Sequence, residues 1–130
     1  MTLGSLDFLY TPSADVAADL RYIVDVLGAE EVFAIEDGGV RVAMAAFANA
    51  PAILLTDHLE GDRPIHVFAA TDLDAARREL EGRGCMPERS VELPPGPAIT
   101  FRTPGGVRMA IYQPTRPLVV ESFRGRHDFG

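Results

Sequence analysis

The sequence predicts an α+β protein built from two tandem βαβββ units, and two observations support this class. A strand-like run that leads directly into a helix start occurs at residues 8–18 and again at residues 65–76. Superposing Asp15 on Asp72 gives an offset of 57 residues, close to half of the 130-residue chain, which indicates duplication. Short helical patterns separated by several short strands are typical of the α+β class.

The first unit is predicted over residues 6–56. Apolar residues recur at helical spacing after Ser13, and a glycine follows the last of them, as is typical of a helix end. These residues are Val16, Leu20, Ile23, Leu27 and Gly28. Asp37-Gly38-Gly39 predicts a tight turn between two hairpin strands. The predicted strands cover residues 7–10, 30–36, 40–47 and 52–56.

The second unit is predicted over residues 64–113, after a polar linker that ends at Pro64. Its helix is predicted to begin at Thr71 as N-cap, with Asp74 completing a capping box. The inner stripe and the helix end are assigned to Leu73, Ala76, Leu80, Gly82 and Gly84. The predicted strands cover residues 65–70, 85–92, 98–102 and 108–113. A tail, residues 114–130, follows with a short helix from Pro117, and we expect its end to be a surface cap or frayed.

Composition excludes several classes of protein. The formal net charge of −7, from 12 basic and 19 acidic residues, disfavours nucleic-acid binding. No apolar run is long enough for a membrane helix, and no secretory leader is recognisable, so we expect a cytoplasmic protein without a membrane partner. The lone Cys85 excludes an internal disulfide and is interpreted as a small packed residue. The length predicts a single domain, residues 1–130.

Two short motifs accompany this element order: Leu27-Gly28 at the end of the first helix, and Pro104-Gly105-Gly106 before the last strand. With this order and spacing, the chain from Asp7 to Gln113 resembles the vicinal oxygen chelate superfamily. That superfamily includes glyoxalase I, extradiol dioxygenases, fosfomycin resistance enzymes and bleomycin resistance proteins. The resemblance implies that the two units form a cup-shaped, curved mixed sheet with the helices outside.

The resemblance also implies where a metal would be bound. In the metal-dependent members, ligands come from the first and last strands of each unit, commonly as His, Gln or Glu side chains. The corresponding positions in this sequence are Phe8, Leu54, Ile65 and Ala110. Because none of these side chains carries a metal-binding atom, we expect no family-type metal site and no cofactor.

Strand alternation from these four positions predicts the residues that line the inner face of the cup. They are Phe8, Tyr10, Leu54, Thr56, Ile65, Val67, Arg108, Ala110 and Tyr112. Core packing alone would explain the apolar members, but a buried guanidinium needs a partner. Arg108 either pairs with a carboxylate at the rim or holds an anionic or carbonyl group of a ligand stacked on Tyr10 and Tyr112.

The function predicted from this reasoning is metal-free binding of a hydrophobic or aromatic small molecule. The resemblance to the bleomycin-resistance branch implies a homodimer that sequesters its ligand. One alternative is a lyase, isomerase or dioxygenase of the same superfamily that uses Tyr10, His58 or Arg108, or a metal held by other residues. Another is a regulatory module whose cup binds a partner protein. His66 is interpreted as a hydrogen-bonded structural histidine.

Overall fold

The computed structural model describes residues 3–130. Its element order repeats βαβββ and then adds a short helix, which confirms the predicted α+β class. The elements are β1 Leu6–Pro12, α1 Val16–Asp25, β2 Glu30–Asp37, β3 Val40–Ala46, β4 Ala52–Thr56, β5 Ile65–Ala69, α2 Leu73–Gly82, β6 Arg89–Leu93, β7 Gly96–Arg102, β8 Arg108–Tyr112 and α3 Pro117–Phe123. None of the helices within residues 3–130 is long and apolar enough to cross a membrane.

The chain divides into two compact units. The first unit consists of residues 8–64 and 121–130, and the second unit consists of residues 3–7 and 65–120. In the first unit the strands lie in the order β2-β3-β4-β1, with β1 parallel to β4 and the other pairs antiparallel. Helix α1 buries Val16 and Leu20 against one face of this mixed sheet, where Ile53 and Leu55 of β4 meet it.

The second unit repeats this plan. Its strands lie in the order β5-β8-β7-β6, with β5 parallel to β8 and the remaining pairs antiparallel. Helix α2 buries Leu73 and Ala76 against Ile99 and Ile111, with Phe68 beside them. Each helix therefore covers one face of its own sheet, and the period of two along a strand sends alternate side chains to the opposite face.

Both long helices begin with the same capping contact. The Oδ1 atom of Asp15 accepts a hydrogen bond from the N–H of Ala18, and that of Asp72 accepts one from Ala75, each at 3.0 Å. The predicted cap at Thr71 is therefore wrong. Asp72 still has an extended backbone, with φ −141° and ψ 106°, so it is the last residue before the helix and its carboxylate reaches the third helical N–H.

The middle of the second unit departs from the predicted boundaries. Strand β6 begins at Arg89 rather than at residue 85, because the N–H of Cys85 still bonds the carbonyl of Leu80 at 2.9 Å and closes the helix end. Strand β7 begins at Gly96, two residues earlier than predicted. The turn contains only Pro94 and Pro95, so strand pairing resumes directly after it.

The end of the tail is an additional strand-like segment and is not frayed. After α3, the N–H of Gly125 bonds the carbonyl of Val32 at 2.9 Å. Ala34 of β2 accepts a bond from Asp128 and donates one to Arg126, each at 2.8 Å. The segment formed by residues 125–129, which we call the tail strand, runs parallel to β2 and covers its outer edge.

Candidate functional site

Four of the predicted binding residues lie together on the face of the first unit's sheet opposite α1, on which Phe33 also lies, with its ring against Phe123 at the end of α3. Tyr10 pairs in register with Leu54, and β4 alternates so that Ile53 and Leu55 point towards α1 while Leu54 and Thr56 point away. Leu54 and Thr56 are fully buried, whereas Phe8 and Tyr10 are half-buried. This face is therefore apolar apart from two hydroxyl groups.

Those two hydroxyl groups interact with each other. Thr56 forms a hydrogen bond with Tyr10, and its Oγ1 atom also accepts the backbone N–H of His58 at 3.1 Å. Burial raises the pKa of Tyr10, the Thr56 hydrogen bond opposes that shift, and the Glu60 carboxylate adds to it. Tyr10 is consequently a neutral phenol at physiological pH, with a proton that it can donate to an oxygen atom.

The other five predicted binding residues lie on the face of the second unit's sheet opposite α2. Val67 pairs in register with Ala110, and the intervening Phe68 and Ile111 point towards α2. The set consists of four buried residues, Ile65, Val67, Ala110 and Tyr112, and the half-buried Arg108. The backbone carbonyl of Arg108 lies 3.3 Å from Nδ1 of His66, so this histidine is bonded to the backbone, as predicted.

The sequence reasoning missed one polar partner on this face. The Tyr112 hydroxyl donates to Oδ2 of Asp7 at 2.6 Å, and Ser5 donates a very short hydrogen bond to the other oxygen of the same carboxylate. Residues before β1 reach this position because Ala69 N–H bonds the carbonyl of Ser5 and Ala69 carbonyl accepts the N–H of Gly4. The sequence did contain a signal for this contact. Asp7 is an acidic residue inside an apolar strand, and such a residue needs a polar partner when it is partly buried.

This contact predicts how stability depends on alkaline pH. Burial raises the pKa of Tyr112, and the hydrogen bond and charge of Asp7 raise it further, above the value of about 10 expected in an unfolded chain. The unfolded chain therefore loses this proton first as the pH rises. The stability that Tyr112 contributes is complete below about pH 10 and is lost as the pH rises towards its folded-state pKa.

The measurement is the free energy of unfolding in urea between about pH 8 and 11. Tyr112→Phe removes the titrating hydroxyl, so we expect its stability to fall less steeply over this interval than that of the unaltered protein. Equal slopes for the two proteins would contradict the assigned cause.

The positions that hold metals in the metal-dependent superfamily members do not fit a metal here. Phe8, Leu54, Ile65 and Ala110 carry only carbon atoms in their side chains. Across residues 3–130, no group of three or more His, Cys, Asp and Glu side chains is placed so that it could hold a metal ion. The faces opposite α1 and α2 thus carry buried apolar side chains, the hydroxyl of Tyr10, the hydroxyl of Tyr112 bonded to Asp7, and the half-buried Arg108.

Comparisons with known proteins identify the fold from solved structures and not from sequence. No protein-family model matches the chain, and no curated protein sequence matches it. Among solved structures, methylmalonyl-CoA epimerase from Mycobacterium tuberculosis matches over 90% of both chains at 21% identity, with a TM-score of 0.70. The chain has the vicinal oxygen chelate fold.

Other solved structures agree with this assignment of the fold. A hypothetical protein from Bacillus halodurans C-125 matches 84% of this chain and 93% of its own, at 14% identity and a TM-score of 0.72. Methylmalonyl-CoA epimerase from Streptomyces coelicolor, in complex with 2-nitronate-propionyl-CoA, matches 88% of this chain and 96% of its own, at 16% identity and a TM-score of 0.67. The resemblance predicted from the sequence is thereby confirmed at the level of the fold.

Proposed function

We propose that this protein binds a hydrophobic or aromatic small molecule without a metal, through the sheet faces opposite α1 and α2. The observation that carries the proposal is the chemistry of the four positions equivalent to metal ligands. Phe8 and Leu54 in the first unit, and Ile65 and Ala110 in the second, replace donor atoms with apolar surface. Leu54, Ile65 and Ala110 are buried, so the exposed apolar area near these positions belongs to the half-buried Phe8 and Tyr10. A ligand that packs on these two rings gains roughly 25 cal/mol for each Å² of apolar area removed from water.

The polar groups on these faces support a role in orienting such a ligand. The neutral hydroxyl of Tyr10 can donate to a ligand oxygen, and its ring can stack on an aromatic system. The guanidinium of Arg108 can form charge-assisted hydrogen bonds with a carboxylate or carbonyl group. We therefore propose an aromatic ligand with an oxygen-bearing substituent, such as an aromatic acid or ketone.

Catalysis of the kind named for the solved epimerases is a weaker explanation of these residues. An epimerase must remove a proton from a carbon atom and return one, which requires positioned acid–base groups. Among the nine proposed binding residues, the ionisable side chains are two tyrosines and one arginine, and the pKa of each tyrosine is raised. Groups that hold their protons so firmly are poor bases at neutral pH, which favours binding over proton abstraction.

The proposal can be tested by tyrosine fluorescence. The chain has three tyrosines and no tryptophan, so its intrinsic emission comes from tyrosine alone. We expect a saturable change in this emission with members of a panel of aromatic acids, ketones and amines, and a rise in melting temperature at saturation. Loss of the hydroxyl in Tyr10→Phe should raise the dissociation constant of an oxygen-bearing ligand by about five- to tenfold.

A matched control is available on the surface of α1. Tyr22 has 57% of its surface exposed and lies on α1, away from both of these sheet faces, so Tyr22→Phe should leave the affinity unchanged. The absence of any saturable ligand across the panel would contradict the binding proposal. A saturable rise in melting temperature with a divalent cation would contradict its metal-free part. The homodimer and the cytoplasmic location remain predictions.

A further inference from the structure

Strand β6 forms the outer edge of the second unit. Its pairing partner within residues 3–130 is β7, and its other side is an open edge. The corresponding edge of the first unit is β2, the second strand of that βαβββ unit, and there the tail strand is seated. The chain thus covers one of two equivalent edges with its own residues and leaves the other one available.

The repeat identifies which backbone groups of β6 point outwards. Asp37 pairs with Val40 across one two-residue turn, and Leu93 pairs with Gly96 across another. The pair that closes a two-residue hairpin is hydrogen-bonded, so Asp37 and Leu93 direct their N–H and C=O groups towards the partner strand. Counting back from them, every second residue does the same, and the residues between direct their backbone groups to the open side. In β2 the outward residues include Ala34 and Glu36.

Those two residues donate their N–H groups to the tail strand, and the carbonyl of Val32 accepts from it. The N–H of Ala34 bonds the carbonyl of Arg126 at 2.8 Å, and the N–H of Glu36 bonds the carboxylate of Asp128 at 3.0 Å. Counting back from the turn in the same way assigns the outward N–H and C=O groups of β6 to Ser90 and Glu92. The edge of the second unit therefore presents the same backbone pattern that already binds a strand in the first unit.

The sequence of β6 is complementary to itself in an antiparallel arrangement. If two copies pair with Val91 opposite Val91, each Ser90 lies opposite Glu92 of the other copy, and Arg89 lies opposite Leu93. No like charges face each other, and a β-branched pair lies at the centre. Ser90 lies opposite Glu92, whose carboxylate forms an ion pair with Arg116 of its own chain at 2.6 Å. This register also engages every outward backbone group of Ser90 and Glu92, in four interchain hydrogen bonds.

We propose that β6 is the homodimer interface, at which two copies pair antiparallel about a two-fold axis through Val91. A two-fold axis requires an antiparallel arrangement, because each residue must make the same contact in both copies. This proposal concerns assembly and is independent of ligand binding.

Disulfide trapping tests the register directly. In a Cys85→Ser background, which removes the only native thiol, Val91→Cys places two thiols on the axis. Residues opposite each other in a non-hydrogen-bonded antiparallel pair have Cα atoms about 4.5 Å apart, within the range for a disulfide. We expect oxidation to convert most of this variant into a covalent dimer. Ser90→Cys is the matched control, because its two copies would lie roughly 8 Å apart and should crosslink poorly.

A proline substitution tests the contribution of the edge to affinity. Because the N–H of Ser90 points away from β7, Ser90→Pro removes no ladder bond within the chain and is tolerated at such an edge position. It removes an interchain bond twice in the dimer, so we expect a dimer dissociation constant at least about tenfold higher by analytical ultracentrifugation. Ser90→Ala keeps the N–H and should retain the dimer.

Each result of these two experiments either supports or overturns the proposed interface. Trapping at residue 91 together with loss of dimer in Ser90→Pro, at an unchanged melting temperature of the monomer, supports the proposal. A monomeric protein at about 100 μM, a dimer that is indifferent to Ser90→Pro, or equal crosslinking at residues 90 and 91 would each overturn it. Ligand binding is measured separately, so a failure here leaves the proposed function intact.

Discussion

Gly96→Ala is expected to destabilise the protein by about 3 kcal/mol, because the new methyl group has no room. A Cβ atom at this position would lie 1.8 Å from the carbonyl oxygen of Gln113 and 2.9 Å from its carbonyl carbon. Both are backbone atoms, so relief requires the end of β8 to move away from β7. Only a residue without a side chain fits where these two strands approach each other.

The damage should reach α2, because Gln113 serves two elements at once. Its N–H bonds the carbonyl of Pro97 at 3.1 Å, and its side-chain oxygen accepts the N–H of Leu73, the first residue of α2, at 2.8 Å. That second bond satisfies one of the N–H groups that a helix start leaves without a partner. Displacement of Gln113 therefore weakens both the β7–β8 pairing and the helix start.

Urea denaturation with circular dichroism measures this effect, and Gly105→Ala is the matched control. A Cβ atom at Gly105 would meet nothing within 4 Å, and the backbone there needs no positive φ. We expect Gly105→Ala to change the free energy of unfolding by less than about 0.5 kcal/mol. Similar losses for the two variants would show that the contact with Gln113 is not the cause.

Local sequence patterns predict the helix starts and turns of this fold, because these depend on contacts between residues that are close in the chain. The 57-residue repeat located both helix starts, and Asp15 and Asp72 make the same capping bond at that spacing. The prediction at Thr71 failed because Thr and Asp are both good caps, and their order along the chain does not show which one still has extended backbone. The interval left between the strands predicted at residues 85–92 and 98–102 was too long, because the turn contains only Pro94 and Pro95, and this displaced the predicted start of β7.

Contacts between distant residues explain what the sequence did not predict. Asp7 and Tyr112 meet because residues 4 and 5 bond to the end of β5, a pairing with no local signature. The tail strand has no counterpart in the repeat, so periodicity gives no information about it. The tail strand is held by outward-facing backbone groups of β2 and by an apolar site for Phe129. Both exist only after the first unit has folded.

Phe129→Ala is the second substitution for which we expect a large effect, about 3 kcal/mol of unfolding free energy. Phe129 is buried, with only 8% of its surface exposed, and it packs in the cluster that contains Val16 and Leu20 of α1. The guanidinium of Arg41 lies 4.8 Å from the centre of its ring and adds a cation–π contact. Truncation to alanine removes both the burial and this contact.

Phe129 also holds the tail strand, so its loss should open the edge of β2. Of the tail's other anchors, the Asp128 side chain lies at the surface with 27% of its area exposed, and backbone hydrogen bonds at an edge contribute only about 1 kcal/mol each. We therefore expect the amide of Ala34 to exchange with deuterium at least tenfold faster in Phe129→Ala, while the amides of β3 are affected less. Leu118→Ala, at a residue of α3 with 80% of its surface exposed, should leave both stability and exchange unchanged.

The exchange measurement distinguishes two roles for Phe129. If Phe129 only fills space beside α1, the Phe129→Ala variant loses stability, but the ratio of the Ala34 amide exchange rate to that of the β3 amides stays unchanged. If it anchors the tail strand, β2 gains an unpaired edge, and the variant should self-associate at high concentration, because an exposed strand edge templates pairing with another chain. Adding Glu36→Pro, which removes an outward N–H of β2, should then reduce that association without restoring the lost stability.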